Sequence, residues 1–409
     1  MRFYIDPGTG SMLFTILIGV LGAAVYALRG AFVKLRFLLS TGKAAKADQK
    51  KLPLVIFAES KRYWNVFGPV CDELERRGQE TWYYTCSEDD PVFHKGYSSI
   101  HPEFIGAGNK AFAKLNMLQA RVLLSTTPGL DVYQWKRSKS VDLYVHMLHA
   151  PADVTLYRLF GIDYYDAILL SGEYQIRQVR ALEELRNLPA KELALTGVPY
   201  LDVNRQRLEA AGPVPEHPVT VLLAPSWGKS GILSRYGEEA IDALLATGYQ
   251  LIIRPHPQSF VSEKDMLDRL MAKYPQVEWN RDNDNFEVLR RSDILISDFS
   301  GVIFDFALVF DKPVIYADTS FDDSPYDSHW LEEAPWTFSV LPRIGHQLTA
   351  GDLAHVKDLI DECLEDERFI LAREEARNET WVCRGNGASA IADWLIEKLQ
   401  GSKKDGREE

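Results

Sequence analysis

The sequence lacks paired cysteines. Its four, Cys71, Cys86, Cys363 and Cys383, stand far apart and form no C-x-x-C. Neither a zinc site nor a disulfide framework is indicated, and a reducing compartment suits the chain. A basic excess is also missing. The net charge of -12 argues against a nucleic-acid partner. There is no internal repeat and no low-complexity tract, and 46% hydrophobic with 25% charged residues excludes wholesale disorder. Gly228-Lys229-Ser230 has no upstream glycine of a phosphate loop, which removes an ATPase reading. No G-x-S-x-G nucleophile elbow occurs. The acidic clusters Glu88–Asp90, Asp282–Asp284 and Phe321–Asp323 read as solvated loops, so neither a metal nor a cofactor is called for.

What is present begins with an uneven charge. The eight Lys/Arg of residues 1–51, set against Asp6 and Asp48, leave +6 there and -18 on the remainder. Met12–Leu28 is uncharged over 17 residues, the short end of a membrane-spanning helix, for which about 20 are usual. The basic residues follow this run instead of preceding it, which argues against a cleaved signal peptide. The positive-inside rule then puts the soluble domains on the cytoplasmic side of a cell membrane. A helix lying in the interface is the other option, because Lys34 and Arg36 suit anionic lipid. Residues 1–40 are expected to be a membrane anchor. The Pro-Gly turn in "YIDPGTGS" is given no role.

From Leu52 onward, short apolar runs alternate with helical patterns. "LPLVIFAES", "ETWYYTCS", "ARVLLSTTPG", "VDLYVHMLHAP" and "YDAILLSGEY" read as strands. After the proline-containing stretch 201–218, read as a linker, the pattern restarts with "VTVLLAPSWG", "YQLIIRPHPQS", "DILISDFSG" and "KPVIYAD". Buried strands alternating with helices imply parallel sheets covered on both faces. The expected fold is therefore α/β, with two Rossmann-like domains, 52–200 and 219–345, facing a cleft. Helices over 351–400 are expected to pack back on them.

In open α/β sheets, ligands sit beyond the carboxyl ends of the strands. There the second domain places Ser226 and Trp227, then Arg254, His256 and Pro257, then Ser297, Asp298, Ser300 and Gly301. Hydroxyls, a guanidinium, an imidazole and a helix start suit phosphate oxygens. Taken singly, each has an ordinary explanation. Ser300 is a good helix N-cap, Asp298 can cap a turn, and a lone histidine is more often packed than reactive. Their convergence at one edge points to an anion site for a nucleotide diphosphate.

These stretches carry a family resemblance. "LLAPSW", "RPHP" and "ILISDFSGVIFDFALVFDKPVIYAD", in this order, resemble the CDP-glycerol glycerophosphotransferases of teichoic-acid synthesis. "YVHMLHAPADVTLYRLFGID", "YDAILLSGEYQIRQVR", "LALTGVPYLDV" and "RGNGAS" extend the likeness to roughly residues 140–400. The resemblance implies a GT-B fold and transfer of glycerol phosphate, or a related polyol phosphate, from a CDP-activated donor. The acceptor would be lipid-linked or a polymer at the membrane. It implies that His149 is the catalytic base and that His256 lies near the donor pyrophosphate. Ser300 and Gly301 fall on the phosphate-holding pair, and Ser226 and Trp227 on the strand-end Thr-Trp. The chain departs from the pattern at Leu148-His149-Ala150, Ser300-Gly301 and Gly228-Lys229, changes that touch the donor loops and so bear on which donor is used. His146 is a rival for the base. Two other classes fit: a GT-B glycosyltransferase or epimerase using a nucleotide sugar, and a non-catalytic member that binds polymer or lipid.

Overall fold

A computed structural model describes residues 51–282, 284–317 and 321–404. The expected anchor, 1–40, lies outside these residues. Among the described residues no helix is long and apolar enough to cross a membrane. Leu52–Glu409 forms one compact unit.

Two parallel sheets make up that unit. The first contains β1 (Leu52–Ala58), β2 (Thr81–Thr85), β3 (Ile100–Phe104), β4 (Ala120–Ser125), β5 (Val141–Met147), β6 (Ala167–Leu170) and β7 (Glu192–Leu195). Their spatial order is β3-β2-β1-β4-β5-β6-β7. The second contains β8 (Thr220–Leu223), β9 (Gln250–Ile253), β10 (Glu278–Trp279), β11 (Ile294–Ser297), β12 (Val314–Ala317) and β13 (Gly345–Leu348). Their order is β10-β9-β8-β11-β12-β13. Each order reverses direction once, between β1 and β4 and between β8 and β11. Such switch points open a crevice at the strand carboxyl ends.

The central strands are apolar on both faces because helices cover both. β6 and β8 are buried at every position. On one face of the first sheet, Leu54, Ile56 and Val122 pack against Phe67, Val70 and Leu74 of helix Trp64–Arg76 and against Leu395 of helix Gly387–Lys404. The C-terminal helix therefore returns to the first domain.

Residues 201–218 are not an extended linker. Most of their length lies in helix Pro199–Ala211. Pro199 sits in its first turn, where proline costs no hydrogen bond. The chain returns from the second domain close over this crossing. A Cβ on Gly197, whose φ is +80, would lie 2.3 Å from the Val382 carbonyl oxygen. One on Gly172 would lie 2.1 Å from the Glu379 carbonyl oxygen.

Side chains also fasten one domain to the other. Asp153 is 3% exposed. Its carboxylate accepts from the Trp336 and Thr337 amides at 2.7 and 2.8 Å and from the Thr337 hydroxyl at 2.6 Å. A first-domain carboxylate thereby caps helix Trp336–Ile344 of the second. Arg186 bridges Asp163 at 2.6 Å and also pairs with the buried Asp327.

Candidate active site

The second-domain edge is organised by two residues that face inward. Ser297, at the end of the central strand β11, is fully buried, and its hydroxyl donates to the Ala224 carbonyl at 2.6 Å. Asp298 is 1% exposed. Its carboxylate accepts from the backbone N–H of Ser226 at 2.9 and 3.0 Å, of Ile232 at 3.2 Å and of Phe299 at 2.7 Å. These contacts tie the loops after β8 and β11 together across the switch point. Sequence reasoning put both residues among the donor ligands. Their polar atoms are instead spent on neighbouring backbone, and they shape the site without lining it.

Ser300 and Gly301 are left to line it. The Ser300 hydroxyl has no partner among the described residues. The amides of Ser300, Gly301 and Val302 find no protein acceptor there, whereas Ile303 and Phe304 donate back to Ser300 and Gly301. Gly301 has φ -57, and a Cβ there would meet nothing within 4 Å. Neither conformation nor protein packing requires glycine at this point, so the space before it is open. The helix behind widens into a π turn at Asp305–Val309. Arg377 satisfies its loosened carbonyls, donating to Leu308 at 2.8 Å and Ala307 at 3.4 Å. Such turns recur at functional sites.

His256 follows β9. Its Nδ1 accepts from the Gln258 amide at 3.1 Å, so the neutral ring carries its proton on Nε2 and can donate from there. Burial lowers its pKa, and the positive charge of Arg62 in the first domain lowers it further. Pro257 is exposed, and Trp227 is 44% exposed beside the half-buried Ser226. Arg254 is half-buried, and desolvation pulls its pKa down. One end of its guanidinium donates to Asn280, so only part of the fork remains for a ligand. Glu263 was absent from the sequence-based candidates. Its carboxylate accepts from the Gly228 amide at 3.1 Å and the Ser234 hydroxyl at 2.8 Å, pinning the Trp227 loop.

On the first domain the two histidines separate cleanly. His146, on β5, is fully buried, with Nε2 3.0 Å from the Tyr157 hydroxyl and ring contacts to Tyr157 and Tyr165. Burial drives its pKa to about 3, with the neighbouring His149 contributing. His149 lies just past the strand end and is only partly buried. Its Nδ1 is 3.2 Å from the Thr126 hydroxyl, and the Tyr63 ring meets it edge-on at 5.5 Å. Burial lowers its pKa to about 4, so the ring is neutral at pH 7. If Nδ1–H donates to Thr126, Nε2 keeps the lone pair that a base needs. Thr126 and Tyr63 escaped sequence reasoning. They lie after β4 and β1, the two strands flanking the first sheet's switch point, and only the strand order shows that they meet His149.

The profile of the family described as CDP-glycerol:poly(glycerophosphate) glycerophosphotransferase matches residues 162–329. The resemblance read from the motifs therefore stands. The matched segment contains the whole second-domain edge and stops short of His149. No curated protein matches the chain. Among solved structures, the wall teichoic acid polymerase TagF is 14% identical, covering 86% of this chain and 90% of its own, with a TM-score of 0.57. S. aureus MnaA, solved with UDP, is 12% identical over 86% of this chain and 97% of its own, TM-score 0.59. A protein from Listeria monocytogenes described as a putative UDP-N-acetylglucosamine 2-epimerase is 12% identical over 84% and 95%, TM-score 0.53. At these identities the likeness is one of fold: two Rossmann-like domains in a GT-B-like arrangement.

Proposed function

We propose that this protein transfers glycerol phosphate, or a related polyol phosphate, from a CDP-activated donor to a hydroxyl of a lipid-linked or polymeric acceptor. One observation carries the reading. Within the segment that matches the glycerophosphotransferase family, a serine hydroxyl and three amides that have no partner among the described residues stand at the second sheet's switch point, in the same edge as His256. This grouping suits a diphosphate. The acceptor is placed at a membrane because Met12–Leu28 is uncharged and a basic stretch follows it. The soluble domains would then face the cytoplasm.

The chemistry assigns the two histidines different work. The acceptor oxygen attacks the phosphorus that bears the polyol. A new P–O bond forms, the bond to the bridging oxygen breaks, and CMP leaves. His149 takes the hydroxyl proton on Nε2, held in that tautomer by Thr126. His256 donates from Nε2 to the leaving phosphate, and Arg254, Ser300 and the amides behind it offset the charge that accumulates there.

The test is a donor panel with the full-length protein. CDP-glycerol, CDP-ribitol, UDP-N-acetylglucosamine and UDP-glucose are offered, each with a lipid-linked acceptor. Release of CMP with growth of the acceptor from a CDP-polyol alone is the expected result. Turnover of a UDP-sugar would replace this reading with a nucleotide-sugar enzyme, and binding without turnover of any donor would indicate a non-catalytic member.

A further inference from the structure

The loop that carries His149, between β5 and β6, is held by both domains. Asp153, in this loop, caps helix Trp336–Ile344 of the second domain. Further along, Tyr157–Phe160 pairs with the second-domain stretch Pro325–Asp327, which follows β12. The Asp327 amide donates to the Tyr157 carbonyl at 3.1 Å, and the Leu159 amide donates to the Pro325 carbonyl at 3.2 Å. Arg158 and Tyr326 form an isolated antiparallel bridge. The Phe160 amide donates to the Asp327 carboxylate at 3.0 Å. Phe160 sits at φ +67, which is unfavourable for a bulky residue, so the pairing outweighs a local cost.

Tyr157 is where this grip meets the base. Its backbone belongs to the pairing, and its side chain turns to the two histidines. The ring lies 6.2 Å from that of His149, centroid to centroid, at an interplanar angle of 37°, within the range of a packed aromatic pair. The hydroxyl is 3.0 Å from Nε2 of the fully buried His146, which fixes the far end of the ring. The His149 imidazole is thus set between the rings of Tyr63 and Tyr157, with Thr126 at its Nδ1. Of these three neighbours, Tyr157 is the one whose backbone is bonded to the second domain.

We propose that Tyr157 is a positioning residue: it sets the angle of the His149 imidazole and keeps water from it, through the second domain's hold on the loop. The base of the first domain is thereby held in place by the second. The proposal rests on the reaction given above, in which His149 takes the acceptor proton. It deepens that reading by making the orientation of the base depend on the docking of the two domains.

The test compares the full-length protein with Tyr157→Leu, which removes the ring, and Tyr157→Phe, which keeps it. Three quantities are read: single-turnover transfer from CDP-glycerol at pH 8, CDP-glycerol affinity by calorimetry, and the titration of the His149 imidazole by NMR, its signal assigned with His149→Gln. Tyr157→Leu is expected to lose about tenfold or more in transfer, a part of the ~10²–10⁴-fold that a base supplies, with donor affinity within about twofold of the parent. Its His149 should titrate close to the ordinary value of about 6.5, because water then reaches the ring, whereas the parent holds it at about 4. Tyr157→Phe should recover most of both effects. Tyr157→Met replaces Tyr157→Leu if the latter does not fold, and failure of both to fold would make Tyr157 a core residue and overturn the role. Unchanged transfer and titration without the ring would overturn it as well. So would an equal fall in transfer and donor affinity, which would report a general loss of docking. If the parent turns over no CDP-polyol, the donor reading falls, while the titration still decides whether Tyr157 holds His149.

Discussion

At the scale of single residues, the site is a division between groups turned inward and groups left unpaired. Asp298 looked like a ligand in the sequence because it follows a strand beside two serines. It is a brace, and only the loop geometry reveals this. Asp298→Ala would leave three amides without their acceptor, of which the buried one, Ile232, costs about 1–3 kcal/mol and the half-buried Ser226 and Phe299 less. Urea denaturation should show a loss of at least ~2 kcal/mol together with weaker nucleotide binding; an unchanged midpoint would remove the bracing role. His146 gives a pH prediction. Its pKa of about 3, and that of His149 at about 4, lie below the ordinary histidine value of about 6.5. Above 6.5 neither the folded nor the unfolded chain protonates these rings, and their contribution to stability is complete. As pH falls from 6.5 toward 3, the unfolded chain binds protons that the folded one refuses, and stability drops. Denaturation midpoints measured from pH 7 to pH 4 should therefore fall less steeply in His146→Leu than in the parent. Equal slopes would contradict the buried, neutral assignment.

At the scale of elements, the strands that sequence reasoning found are the central ones. Those it passed over, β3, β7, β10 and β13, are the four sheet edges. The physical reason is burial. A central parallel strand is covered on both faces and reads as a continuous apolar run, such as "VTVLL" or "DILI". An edge strand is short and partly wet. β3 contains Pro102 and is mostly unburied, and β10 has only two residues, neither fully buried. Proline is tolerated there because one side of the strand has no partner to satisfy. The helical crossing at residues 197–211 was obscured by Pro213, Pro215 and Pro218 just after it, although Pro199 at a helix start favours the helix. Gly197 is the sensitive point of that crossing. Gly197→Ala would impose a Cβ on a positive φ and against the Val382 carbonyl. A loss of at least ~1 kcal/mol in thermal or urea unfolding is expected, and a neutral effect would mean that the C-terminal segment does not approach so closely.

At the scale of the whole molecule, the sequence revealed two α/β domains but not how they are fastened. Asp153 capping helix Trp336–Ile344 and Arg186 bridging Asp163 and Asp327 join residues more than 140 positions apart in part, a pairing that no local pattern carries. The compact unit from Leu52 onward carries both sheets. A chain starting at Leu52 should therefore remain folded and bind nucleotide like the full-length protein; loss of cooperative unfolding would show that the preceding residues belong to the core. The division of labour across the cleft is the claim on which the function depends, and one comparison tests it most directly: single-turnover transfer and CDP-glycerol affinity measured side by side for His149→Ala and His256→Ala. His149→Ala should lose about 10²–10⁴-fold in transfer with donor affinity nearly unchanged, as expected of a general base acting on the acceptor. His256→Ala should lose both. Full transfer by His149→Ala, or an equal loss of donor affinity in the two variants, would contradict the assignment of base and donor contact to opposite domains.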